Sequence, residues 1–451
     1  MSTLDRLRDI VRPRSAVPVV ATDTLVPGPN GQLVVPAGRS AHVSLGAPEY
    51  ARAALELGGA LVERQDGAVI VVEREYRADM RHGQAPIAEI VGTIREGLEA
   101  MQVMARAWPA AQGINGRILF LDLETTGLFT GAGTQAFLIG CAIIDGDSIR
   151  LRQFLMPGFE HEKAVLGELQ AFAKDSGAVC TYNGRSFDVP LIETRFMFHR
   201  LPCPLDGAPH LDMLHAARRL WRQRPLTMGT PDPDDSSCSL SVLEKHIAGL
   251  HRVGDVPGYE IPSRFFQFVR DGDARPLESV LEHNRLDLIS LAAVLARAIT
   301  LITSGPGIAS TAQEAYGLAR VYERAGESNN AEAALLKTIE FASRVGGEPE
   351  IHGEALRRLA WLRRRGGRPH EAAQAWQELA SLPRCSGALR REAAEALAIH
   401  HEHRSKNLRI AHQHALDLLT DPDANRTRVR HRLERIERKL SQRGAMLPIT
   451  D

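Results

Sequence analysis

Asp122 and Glu124 stand one residue apart in "RILFLDLETTGLF", residues 117 to 129, at the end of an apolar run of β-favouring residues. Alternation along a strand turns both side chains to the same face, a few ångströms apart. Like charges so close repel one another unless a cation or a catalytic task stabilises them. Two more acids sit in suggestive places. In "TYNGRSFDVPLIETRF", Asp188 begins a helical pattern just after a short strand, with Asn183 and Phe187 before it. In "LEHNRLDLISLAAVLARA", His283 and Asp287 lie four apart, on one face of a helix. Four carboxylates around one crevice would be intolerable alone at neutral pH, and two divalent cations neutralise them. Oxygen donors favour Mg2+ or Mn2+. Two such ions ~3.5–4 Å apart activate a water on one side of a phosphodiester and stabilise the leaving oxygen on the other, which is chemistry for cutting nucleic acid.

The surrounding pattern supplies a frame for these residues. A first strand ends at Glu124, a second reads "FLIGCAII", and "DGD" at 145 to 147 turns the chain into a third, "SIRLRQFLM". An Asp-Gly turn between apolar runs is a strong hairpin signal. Helical spacing follows in "HEKAVLGELQAFAKD", then the strand "AVCTYN", a helix from about Asp188 to His199, and a strand near "HLDML". Three hairpin-linked strands followed by strand–helix alternation predict a mixed sheet with helices on its faces. Ligands of such sheets bind beyond strand C-termini, where Asp122 and Glu124 fall.

Residues 1–115 form an N-terminal segment with no assigned role. Short strands are expected in "PVVATDTLVPGPNGQLVVP" and "ALVERQDGAVIVVEREY", and helical spacing in "APIAEIVGTIREGLEAMQVMARAW". After about residue 310 the strands stop and helix pairs begin, with Leu318-Ala319, Leu359-Ala360 and Leu397-Ala398 at matching places. This spacing predicts degenerate tetratricopeptide-like hairpins over 306–451, with a plain helical bundle as the alternative. The sheet domain is expected over 116–305.

The chain's net charge of zero conceals an asymmetry. From Ile351 onward there are 20 Lys and Arg against 12 Asp and Glu, and before it 35 against 43. A basic tail suits nucleic acid or a partner, although a solvated helical surface explains such a bias as well. The five cysteines, at 141, 180, 203, 238 and 385, show no zinc-ligand spacing, which points to a reducing cytoplasm. Charges run through "MSTLDRLRDIVRPRS", so no signal peptide is expected, and "LDLISLAAVLARAITLI", interrupted by Asp287 and Arg297, reads as an amphipathic helix and not a membrane span.

"DLETTG", "YNGRSFDVPL" and "HNRLD" resemble the three motifs of the DEDD superfamily of 3′-5′ exonucleases, which has the ribonuclease-H-like fold. "HG" at 82–83, "LETTGL", "NGRSFDVPL", "VPGYEIPSRFFQFVRDGD" and "HNRLDLISLA", in that order, resemble the YprB-type family of bacterial ribonuclease-H-like predicted exonucleases, often followed by tetratricopeptide repeats. The resemblance implies an α/β ribonuclease-H-like mixed sheet, then an all-α repeat domain. It makes Asp122, Glu124, Asp188 and Asp287 ligands of two Mg2+ or Mn2+ ions, and His283 the group that orients or deprotonates the attacking water. The sequence departs from the pattern in one respect: the histidine subclass places its His five residues before the last Asp, whereas His283 has the four-residue spacing of the tyrosine subclass.

Thr125, Thr126 and Gly127 end the strand where backbone N–H groups can receive a terminal sugar and phosphate, and Asn183 and Phe187 are placed to position or stack the adjoining nucleotide. Taken singly, each acid has a plainer use. Asp188 suits a helix N-cap, Asp212 a strand-end cap, and His283 with Asp287 a surface pair. The expected partner is nucleic acid, DNA or RNA, at single-stranded ends, with a protein partner on the repeats. The rival readings are an endonuclease of the same fold and a binding scaffold that does not cut. The nuclease reading further requires Asp287 to meet Asp122 in one pocket without a lysine or arginine partner.

Overall fold

In a computed structural model of the chain, the described residues are 47–127, 133–221, 238–344 and 349–444, plus a two-residue strand pair, Val26–Pro27 with Leu33–Val34. The rest of "PVVATDTLVPGPNGQLVVP" and the charged N-terminus lie outside them.

Apolar runs build the sheet, and its central strand Ala136–Asp145 is buried on both faces. Its strands are β1 (Ala60–Arg64), β2 (Gly67–Tyr76), β3 (Arg117–Thr125), β4 (Ala136–Asp145), β5 (Ser148–Leu155), β6 (Ser176–Thr181) and β7 (His210–Asp212). Their order across the sheet is β7-β6-β3-β4-β5-β2-β1, with β7, β6 and β3 parallel and the others antiparallel. The hairpin expected at 145–147 joins β4 to β5. The boundary expected at residue 115 needs correction, because β2 pairs with β5 from Ile70–Leu155 to Tyr76–Ile149. Residues 60–76 thus extend the sheet. The sequence marks a short strand in "ALVERQDGAVIVVEREY", but strand partners far apart in sequence leave no local mark.

The helices before the all-helical C-terminal region are α1 (Ala47–Glu56), α2 (Ile87–Glu96), α3 (Leu98–Ala107), α4 (Glu162–Ala173), α5 (Asp188–Phe198), α6 (Met213–Leu220), α7 (Leu240–Ala248), α8 (Ile261–Asp271) and α9 (Arg275–Ser304). Leu119, Leu121 and Leu123 of β3 face a core shared with α1, α4, α5 and α8. Ile118 and Phe120 face the other core, against α2, α3 and α9. Asp122 and Glu124 continue this second face, so the strand delivers its two acids to α9. Residues 275–308 are long and apolar enough to cross a membrane, but most of their most apolar stretch is buried inside the protein, as in a core helix.

Helices α10 (Ala312–Ala325) and α11 (Ser328–Ala342), α12 (Pro349–Arg365) and α13 (Pro369–Ser381), and α14 (Gly387–His403) and α15 (Leu408–Leu419) form three successive hairpins, followed by α16 (Arg426–Gly444). All six residues of the Leu-Ala pairs are buried. Small side chains at those places let neighbouring helices approach. The arginine-rich α16 is partly committed to packing. Arg435 and Lys439 bind the buried Glu402, and Arg428 pairs with Glu395. None of the five cysteines forms a disulfide.

Gly140 of β4 lies opposite Asp122 in register, and a Cβ there would overlap Asn284 of α9. Asn284 is fully buried. Its Nδ2 donates to Asp122 Oδ2 at 2.8 Å and to Asp122 O at 3.2 Å, while its Oδ1 accepts from Gln153 Nε2 at 2.9 Å. The missing side chain at 140 is therefore what lets α9 reach β3. Gly140→Ala is expected to destabilise the protein by about 1–3 kcal/mol through overpacking, read as a lower urea midpoint at unchanged slope. An unaltered midpoint would show that α9 has room to move.

Candidate active site

The four acids come from β3, the start of α5 and the middle of α9, near enough for their charges to act on one another. Burial first, then the charges of Asp287, Glu124 and Asp188, hold the Asp122 carboxyl well above the usual carboxylate range, opposed by the hydrogen bond from Asn284. Glu124 is raised in the same way by burial and by Asp287, Asp188 and Asp255. Asp188 is pushed up to about 7, mainly by burial; a backbone N–H bond opposes this, and the charge of Asp212 adds to it. Asp287 is raised by burial, with the charges of Arg252 and His283 opposing. Residues remote in sequence raise one another's pKa only when they share a low-dielectric space. Solvent still reaches that space, since the Asp287 side chain is 20% exposed.

Asp188 is the first residue of α5, not its cap: the cap position is Phe187, which makes no side-chain capping bond. Its carboxylate is thereby spared the plain capping role. Asp212 does cap, accepting from Leu214 N at 3.0 Å at the start of α6. It also accepts from Asn183 N at 2.8 Å and Arg185 N at 3.2 Å, which fixes the turn leading to Phe187, with Asn183 at φ 67°. Phe187 is 49% exposed, a large apolar side chain left in solvent. Thr125, Thr126 and Gly127 follow Glu124 after a register shift in the β3–β4 ladder. Thr125 Oγ1 donates to Gly127 O at 2.8 Å, and Thr126 Oγ1 accepts from Gln135 N at 3.0 Å.

One requirement of the sequence reading is not met. Arg252, on the loop between α7 and α8, donates through Nη2 to Asp287 Oδ1. The fourth acid is therefore partly neutralised, because a buried guanidinium held by other acids reaches it. Among the described residues no lysine or arginine pairs with Asp122, Glu124 or Asp188. Nor, among those residues, does any group of three His, Cys, Asp or Glu side chains stand in an arrangement able to hold a metal ion. The donor chemistry nevertheless fits hard cations. It is all carboxylate oxygen, and the raised pKa values of three acids without basic partners express a demand for positive charge. The basic helix and the histidines near 399–404 lie in the C-terminal region; His400 packs edge-on to His370 at 5.3 Å and His401 stacks on His414 at 5.9 Å.

Sequence reasoning missed Arg252, Asp255, Glu244 and Asn284. Asn284 lies inside "HNRLD", and Glu244 follows Leu243 on the apolar face of α7, where a buried acid demands a cation nearby.

Residues 119–299 match the family model RNase_H_2 of the RNase_H superfamily. The protein YprB of Bacillus subtilis (strain 168), described as uncharacterized, is 32% identical over 284 residues, 61% of this chain and 64% of that protein. The match thus spans less than two thirds of its length. A solved structure of the family B DNA polymerase from the hyperthermophilic archaeon Pyrobaculum calidifontis is similar at a TM-score of 0.32 and 14% identity, over 65% of this chain and 44% of that one. Residues 119–299 are thus similar to the ribonuclease H superfamily, and the mixed sheet with flanking helices is consistent with that fold. The similarity to YprB agrees with the resemblance drawn from the motifs, and the C-terminal region is helical in its described residues.

Proposed function

We propose that this chain is a metal-dependent nuclease that hydrolyses phosphodiester bonds from a 3′ end. The observation that carries the reading is the electrostatic coupling of Asp122, Glu124, Asp188 and Asp287 across three separate elements. Ribonuclease-H-like nucleases generally use divalent metals, and here the four acids would hold two Mg2+ or Mn2+ ions, which supply Lewis acidity to the attacking water and the leaving oxygen. Asn284 keeps the Asp122 carboxylate turned into the crevice. His283, on the turn of α9 before Asp287, accepts the proton of the attacking water at Nε2. The strand end at Thr125–Gly127 receives the terminal sugar and phosphate, and Phe187 stacks on the adjoining base. The helical hairpins, read as tetratricopeptide-like, hold a protein partner or the trailing strand, and cysteines without disulfides suit a cytoplasmic protein.

Phe187→Ala is expected to raise KM about tenfold or more with little change in kcat, the scale of one lost base stack; equal losses in both parameters would place Phe187 in the chemical step. The function itself is tested with end-labelled single-stranded DNA, duplex DNA and RNA in Mg2+ or Mn2+. A ladder growing from the 3′ end supports the proposal, and internal fragments indicate an endonuclease. Intact substrate under every metal leaves the binding scaffold, a reading that the Arg252–Asp287 contact favours.

A further inference from the structure

The "HG" pair at 82–83 and the loop between α7 and α8 take no part in the mechanism above, yet they form one chain of contacts that ends on it. A Cβ at Gly83 would overlap Ala248 O, the last carbonyl of α7, to which Gln84 N donates at 2.5 Å. His82, 3% exposed, contacts Ser290 Oγ through Nε2 at 2.8 Å. Ser290 in turn donates to Glu244 Oε2 at 2.6 Å, and Glu244 is 1% exposed. Arg252 closes a two-pronged bond on Glu244, Nε to Oε1 at 2.7 Å and Nη2 to Oε2 at 2.9 Å. Such forked pairing fixes a guanidinium in orientation as well as position. From that anchor Arg252 reaches Asp287, and its Nη1 reaches Asp255 at 3.2 Å. Asp255 Oδ1 lies 2.7 Å from His283 Nδ1.

Two groups compete for His283 Nδ1, and distance decides between them. The Asp255 carboxylate is at 2.7 Å and Arg252 Nη1 at 3.4 Å, so Nδ1 carries the proton and donates to Asp255. In the neutral ring, Nε2 is then the nitrogen with the lone pair. It stands 3.7 Å from Asp287 Oδ2, beyond the reach of a direct hydrogen bond. Resting on the nuclease reading, we propose that Asp255 and Arg252 are positioning residues of this site: Asp255 sets the tautomer and tilt of His283 for proton abstraction, and Arg252, anchored through Glu244 and Ser290 to His82, fixes Asp287. A carboxylate holding Nδ1–H is a proven way to present a basic Nε2. The arrangement also offsets the four-residue spacing of His283, since ring orientation is set from the loop and not from the helix alone.

The test uses the full chain and two kinds of readout. Imidazole 15N spectra, with His283 assigned by comparison with His283→Gln, are expected to show the Nδ1–H tautomer in the wild type and its loss in Asp255→Asn. In the cleavage assay Asp255→Asn is expected to lower kcat about 10²-fold with KM nearly unchanged, and Arg252→Lys to retain more activity than Arg252→Gln. Arg252→Gln leaves Glu244 buried without its cation and is prone to misfold; Asp255, 29% exposed on its loop, is the safer position. An identical His283 tautomer in wild type and Asp255→Asn, or kcat within twofold of wild type, overturns the proposal. A chain that cuts no substrate defeats the nuclease reading alone, and the tautomer comparison still decides this one.

Discussion

Asp122→Asn is expected to reduce cleavage by roughly 10³-fold or more, the scale on which a member of a catalytic unit is lost. The substitution keeps shape and the Asn284 contact while removing the charge that β3 delivers to the middle of the crevice. The metal-free variant should nevertheless fold at least as well as wild type, because Asp122 is held against Asp287, Glu124 and Asp188, all of the same sign. Opposite movement of activity and stability is the signature of a residue kept for function. A variant that loses activity and stability together would make Asp122 a structural residue.

The second large effect is on stability against pH. A carboxyl whose folded-state pKa is raised keeps its proton in the folded protein at pH values where the unfolded chain has lost it. Its folded state is therefore favoured on the acid side, and that advantage is lost as pH rises from the ordinary value through the raised one. For Asp188 the window runs from 3.8 to about 7, and Asp122 and Glu124 act in the same sense. His82 acts in reverse: burial, helped by the charge of Arg252, pushes it down to about 4, so it contributes a loss of stability as pH falls from 6.5 towards that value. Comparing wild type with Asp188→Asn cancels the His82 contribution. Without divalent ions, the variant should gain on the wild type by on the order of a few kcal/mol between pH 5 and pH 8, measured by urea unfolding. Added Mn2+ should stabilise the wild type more at pH 8 than at pH 5.5, since the ion binds the ionised acids. Parallel curves for the two proteins across that range would mean that Asp188 is not held in a crowded acidic pocket.

Residues that announce themselves by local pattern were legible in the sequence. The alternation in "RILFLDLETTG" placed Asp122 and Glu124 on one face, the i,i+4 spacing placed His283 beside Asp287, and the Asp-Gly turn set the β4–β5 hairpin. Contacts between distant segments were not legible. Nothing near residue 70 says that β2 pairs with β5, and nothing near Gly140 says that Asn284 will fill the space its missing side chain leaves. Arg252 shows the same limit most clearly. Its loop lies just upstream of the recognised "VPGYEIPSRFF", but an arginine in a loop reads as solvated until Glu244 is seen buried beneath it, at which point the ion pair becomes a requirement.

The central claim is that hard cations are what make the meeting of these acids favourable, and Mn2+ binding to the full chain at pH 8, followed by electron paramagnetic resonance of the free ion, tests it most directly. Saturable binding in the wild type that weakens at least about tenfold in Asp122→Asn is the result expected for ligation by the crevice acids. Equal Mn2+ binding by both proteins, or none by either at millimolar ion, would contradict it.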